Sequence, residues 1–196
     1  MRYAFLTDTY ETERLKVLSV WRMFEDADLA CRPNPTDRRG RSVLEQMVHQ
    51  CMSENLWFKS MLGIDVEAPP LPTPETRQAF ILRYAEDSRK RLDELKKMPD
   101  LWWEDEVAFF ATGRSRAWVM VRRVAHTAHH RGQQMALLRM LGRDLHSNYG
   151  PTADTGGLMA NGAPVIYAHR TEEQILSDAP KASLPGPGEK PPTERP

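Results

Sequence analysis

The residues best suited to chemistry in this sequence are its histidines. Three of the six fall within five positions, in the string His126-Thr127-Ala128-His129-His130. His126 and His130 are four apart. On a helix that spacing puts two side chains on one face, about 5–6 Å apart at Cβ. Two imidazoles so placed can bracket one transition-metal ion, since a Zn–N bond is about 2.0–2.1 Å long. His129 is turned by about 100° from His130 on such a helix and points elsewhere. Two ligands make a weak site, so a third must come from another element. His49 is the only histidine before the cluster. A site of His49, His126 and His130 leaves a fourth position for water or substrate, which is what separates catalytic from closed structural metal sites.

Other chemistries are excluded or weak. There is no HExxH, and no histidine has Glu three positions before it, as a di-iron carboxylate bundle requires. Cys31 and Cys51 lie far apart, with no CxxC pairing for a thiolate zinc site and too few cysteines for a disulfide framework, which suits a reducing cytoplasm. Lys+Arg and Asp+Glu both number 27, so the chain has no overall field for nucleic acid or an anionic membrane. The N-terminus turns polar too early for a signal peptide, and no apolar run approaches the ~18 residues of a membrane span. The expectation is a cytoplasmic protein with no nucleic-acid or membrane partner. A plain competing explanation stands beside the metal site. A histidine at the edge of an apolar stripe is commonly a hydrogen-bonded core residue, and an HxxxH pair arises by chance.

The elements that must position these residues are helices. Apolar spacing predicts a first helix over about Asp8–Ala30. A second opens at Ser42, where Glu45 completes a capping box, and ends at Gly63. It carries His49 at one edge of its apolar stripe, with Trp57 two turns further on. Three prolines between Ile64 and Thr73 interrupt the chain, and Thr73-Pro74 reads as N-cap and first residue of a third helix running to about Met98. Its alternating charges, Arg83, Glu86, Asp87, Arg89, Lys90, Arg91 and Glu94, read as a solvated face. Leu101–Gly113 is aromatic and of no readable conformation. A fourth helix runs from about Ser115 to Gly142 with the histidines in its middle. The domain layout expected is a helical unit over 1–142, an irregular extension over 143–177 with a short helix at Thr171–Leu176, and a proline-rich, disordered tail over 178–196.

The string His126-Thr-Ala-His-His130-Arg-Gly-Gln133, together with Ser42-Val-Leu-Glu-Gln-Met-Val-His49, resembles the DinB family (DinB/YfiT-like metalloenzymes) from about Asp8 to Leu141. The resemblance implies an all-α, up-down-down-up four-helix bundle, often a homodimer. It also implies a divalent metal (Zn, Ni, Fe or Mn) held by His49, His126 and His130. Arg131 and Gln133 match the motif, and we expect them in support of the ligands or in subunit packing. Some relatives transfer or isomerise substrates with a low-molecular-weight thiol such as bacillithiol, mycothiol or glutathione. The expected function is therefore a metal-dependent thiol (S-)transferase or hydrolase-like enzyme acting on a small molecule. The alternative is a non-catalytic metal-binding or stress-response helical dimer. A DNA-repair role gets no support from the balanced charge. Residues beyond Gly142 exceed the simple family pattern. They either pack on the surface or form a lid in which His146, Tyr149 or Asp154 reaches the metal face.

Overall fold

Four long helices carry the fold, in a computed structural model that describes residues 2–185. They are α1 (Ala4–Met23), α2 (Val43–Trp57), α3 (Arg77–Leu95) and α5 (Arg116–Met140). Between the last two lie a short helix α4 (Asp100–Glu104) and a two-stranded antiparallel hairpin, β1 (Glu106–Phe109) and β2 (Thr112–Ser115). A last short helix, α6 (Glu172–Leu176), follows the extension. The protein is mostly helical, and no helix among the described residues is long and apolar enough to cross a membrane.

Local chemistry sets the helix ends. Ser42 Oγ accepts the Glu45 N–H at 3.2 Å while the Glu45 carboxylate accepts the Ser42 N–H at 2.7 Å, so the expected capping box forms. The helix leaves α2 through a π turn at Phe58–Leu62, and Gly63 closes it in the left-handed region at φ 73°. α3 starts later than expected. Thr76, not Thr73, is the N-cap, because its Oγ accepts the Ala79 N–H at 3.2 Å. α1 ends before Ala30, because Asp28 accepts the Glu25 N–H at 2.8 Å and turns the chain into a 3-10 segment at Asp26–Asp28.

Trp21, Phe24, Met47, Phe80, Tyr84 and Leu138 are fully or nearly fully buried in one apolar cluster. Each contributes roughly 1.5–3 kcal/mol of transfer free energy. A second cluster joins Tyr10, Phe58, Leu92, Trp103 and Val119. Between the helices sits a buried polar group. Glu54 is 0% exposed and accepts from Tyr10 Oη at 2.6 Å and Tyr84 Oη at 3.0 Å. Arg91 and Arg123 approach it at 3.4 and 3.7 Å. The solvated face expected on α3 is thus broken at Arg91 and Asp87, which are 2% and 3% exposed. Arg91 turns inward because a buried carboxylate needs a counter-charge.

The unreadable stretch Leu101–Gly113 becomes α4 and the hairpin. Phe110 takes the left-handed turn position at φ 51°, and Phe109 and Phe110 meet Trp57 at 5.3 and 6.3 Å between ring centroids. The extension after Gly142 packs on the outside. Arg143 forks onto Asp28 at 2.8 and 3.0 Å, and Glu172 binds both Arg14 and Arg89. The short helix expected near Thr171 is there, capped by that threonine. The first residues of the proline-rich segment are tied down, with Asp178 on Arg22 and the Ala182 N–H on the Ala168 carbonyl. Residues 186–196 of the expected disordered tail lie outside the described residues.

Candidate metal centre

α2 and α5 lie against each other, and their facing sides carry the three histidines. His49, His126 and His130 each offer one nitrogen, and these atoms all fall within 4.8 Å of one another. His126 Nε2 and His130 Nε2 are 3.3 Å apart. Two ligands at about 2.05 Å on a tetrahedral ion also stand about 3.3 Å apart. The His49 ring centroid lies 4.5 Å from that of His130 and 5.4 Å from that of His126. Among the described residues no other group of three His, Cys, Asp or Glu closes in this way.

The surrounding groups fix the rings. His130 Nδ1 faces Gln46 Oε1 at 2.8 Å and Gln133 Oε1 at 3.2 Å, and the Gln46 amide donates to Gln133 Oε1 at 2.8 Å. With only acceptors before it, Nδ1 carries the proton. The bare Nε2 lone pair of His130 is thereby aimed at the other two rings. His126 Nδ1 is buried without a protein partner. If that nitrogen holds the proton, two lone pairs face each other at Nε2, an arrangement that suits a cation between them. Trp57 stacks on the His126 ring at 5.5 Å, and the Arg123 guanidinium lies over Trp57 at 5.5 Å while bonding Ser53 at 3.0 Å.

All three rings are held neutral. Burial, then Arg123 and the neighbouring histidines, lowers His126 to about 3. Burial, then His49 and His129, lowers His130 to about 4 against the opposing Gln133 hydrogen bond. His49 is lowered by burial and then by Arg41 and Arg123. Neutral imidazole is the form that binds metal, so these groups need shed no proton at pH 7 to act as ligands.

His129 stands outside the group, exposed, with its Nε2 3.0 Å from the Gln133 amide. Of the two motif residues expected in ligand support or subunit packing, Gln133 stands 3.2 Å from His130 Nδ1, whereas Arg131 is fully buried on the other side of α5, paired with Glu13 and lying 4.7 Å over the Tyr149 ring. The three lid candidates also face away. His146 meets the Ala182 carbonyl at 2.8 Å, Tyr149 donates to Glu13 at 3.1 Å, and Asp154 forks onto Arg139. Sequence reasoning missed Gln46 and Arg123. Gln46 had one available signal, its place one turn before His49 on the same helix.

The DinB family profile matches residues 8–156 of the chain. Among solved structures, a DinB-like protein from Bacillus cereus ATCC 10987 superposes with a TM-score of 0.63 at 17% identity, over 74% of this chain and 95% of the other. A DinB-like protein from Bacillus subtilis (YjoA) superposes with a TM-score of 0.57 at 13% identity, over 74% and 96%. At such identities the likeness speaks for the fold. No curated protein matches the sequence. The profile spans about three quarters of the chain and includes all three clustered histidines of the site, and the chain belongs to the DinB family.

Proposed function

We propose that His49, His126 and His130 hold one divalent transition-metal ion (Zn, Ni, Fe or Mn) and leave a coordination position open. On this reading the protein is a metal-dependent thiol transferase or hydrolase-like enzyme acting on a small molecule. The observation that carries the reading is the convergence of three neutral imidazole nitrogens within 4.8 Å, from two helices, with His130 oriented by Gln46. When bound, such an ion lowers the pKa of a coordinated thiol or water and so supplies a nucleophile near neutral pH. The chain's own part is to orient the rings through Gln46 and Gln133 and to wall one side with Trp57 and the hairpin aromatics.

The helix order fits the finer topology of the family, which we include in the proposal: up, down, down, up. A parallel α2–α3 pair needs a return connection as long as a helix. The 63–76 link, at about 3.3 Å per residue, reaches beyond the roughly 28 Å length of α3.

Elemental analysis of purified protein tests the metal. About one ion per chain is expected, with loss in His49→Ala, His126→Ala and His130→Ala and retention in His129→Ala. Absence of any stoichiometric transition metal, with none taken up on addition, refutes the reading. Thiol titration of cobalt-substituted protein then tests the chemistry. A spectrum that shifts with the thiol supports transfer, and an unmoved one leaves a metal-binding protein without thiol chemistry.

A further inference from the structure

His49 opens onto a cleft of about 650 Å³ whose wall also carries Arg38, Arg39 and Arg41. The three guanidiniums are not equivalent. Arg39 is committed to Asp37, with contacts of 2.7 and 2.9 Å to its two carboxylate oxygens. Among the described residues Arg38 and Arg41 have no carboxylate partner. Of the two carboxylates on the wall, Glu45 is committed to the Ser42 N–H and to Arg32, which leaves Glu75 alone to oppose two free guanidiniums. Arg41 immediately precedes the N-cap of α2, and its charge reaches the site, being among the groups that disfavour protonation of both His49 and His130. Exposed arginines are ordinarily just solvated. Here a free one shares a cleft with a ligand-competent histidine, in a chain whose total charge is zero. The same wall includes the half-buried Val48 and the exposed Met52, so it is part apolar.

We infer that the cleft beside the three-histidine site binds a carboxylate-bearing small molecule, with Arg41 taking the carboxylate and the ligand's other end directed at the histidines. This rests on the metal reading above. A planar guanidinium matches a carboxylate through two parallel N–H donors, and of the two free forks Arg41, the one whose charge reaches His49 and His130, stands beside an apolar wall that suits a carboxylate on a hydrocarbon body. A cationic cleft also raises the local concentration of anions before contact.

The test uses the full chain loaded with cobalt and reads its visible spectrum. Acetate and the α,ω-dicarboxylates from malonate to adipate are titrated at fixed ionic strength. At least one dicarboxylate should bind about tenfold more tightly than acetate. Arg41→Ala should remove that advantage and leave acetate within about twofold, and Arg41→Lys should restore it in part. Arg39→Ala removes the same unit of charge from the same wall and should leave the dicarboxylate advantage intact. Arg41 is exposed and outside the ligand set, so its variants keep the cobalt spectrum. A cobalt spectrum on which no dicarboxylate surpasses acetate, or on which the Arg39 and Arg41 variants behave alike, overturns this inference alone. If no cobalt spectrum forms, the metal reading falls and this inference falls with it.

Discussion

The hydrogen bonds to His130 make a quantitative prediction. Gln46→Leu keeps most of the side-chain volume and removes the acceptor 2.8 Å from His130 Nδ1. Loss of such an outer partner commonly lowers metal affinity 10–100-fold. Here a second acceptor, Gln133 Oε1, already stands at 3.2 Å and can take the full bond. The single variant should therefore fall near the lower limit, about tenfold, or about 1.4 kcal/mol. Gln133→Leu alone removes the longer bond and should cost about threefold. The double variant leaves Nδ1–H buried and unpaired, so it should lose about a hundredfold or more, beyond the product of the single effects. Zinc competition against a chromogenic chelator at pH 7.5 measures all three, with metal-free unfolding curves to show that each variant folds. His129→Ala serves as the control and should stay within about twofold. If Gln46→Leu binds zinc like the parent and the double variant binds like either single, Gln46 does not orient the ligand.

Three further outcomes follow from the same geometry. Burial pushes His126 and His130 down to about 3 and about 4 in the fold against about 6.5 unfolded, so above pH 6.5 they leave the metal-free stability unchanged, and as pH falls from 6.5 toward 4 the unfolded chain takes up protons the fold refuses and stability should drop. Comparing urea midpoints of the parent and a His126→Ala/His130→Ala variant between pH 7 and 4.5 isolates this slope, and equal slopes would refute it. Glu54→Leu leaves Arg91 and Arg123 buried without their carboxylate and should cost roughly 3–5 kcal/mol in urea denaturation; a loss under about 1 kcal/mol would show that the network is not ionic in the fold. Arg131→Leu breaks the pair to Glu13 and the contact with Tyr149, and should cost on the order of 2 kcal/mol while zinc content stays unchanged. A variant that lost zinc without losing stability would return Arg131 to the metal site.

Much of the site was legible because helical periodicity is a strong constraint. The HxxxH spacing placed two rings on one face, the 100° rotation removed His129, and the Ser42/Glu45 box fixed where the helix bearing His49 begins. What escaped sequence reading was decided by partners on other elements. Arg91 and Asp87 look like surface residues within their own helix; only Glu54, from α2, explains why Arg91 turns inward. Arg131 sits in the motif next to His130, yet its partners come from α1 and from Tyr149. The hairpin was unreadable because its turn lacks the usual signal. Gly or Asn normally takes a left-handed turn residue, and here Phe110 does so.

The stacking of Trp57 on His126 has an optical consequence. An indole 5.5 Å from an imidazole ring of the proposed site lies within reach of collisional and exchange quenching by an open-shell ion held there. Copper, nickel or cobalt should dim the emission of this one tryptophan, whereas zinc, with a closed shell, should mainly shift its colour. The molecule thus carries its own gauge of site occupancy, readable without a chromophoric metal or added label, and Trp57→Phe would silence it.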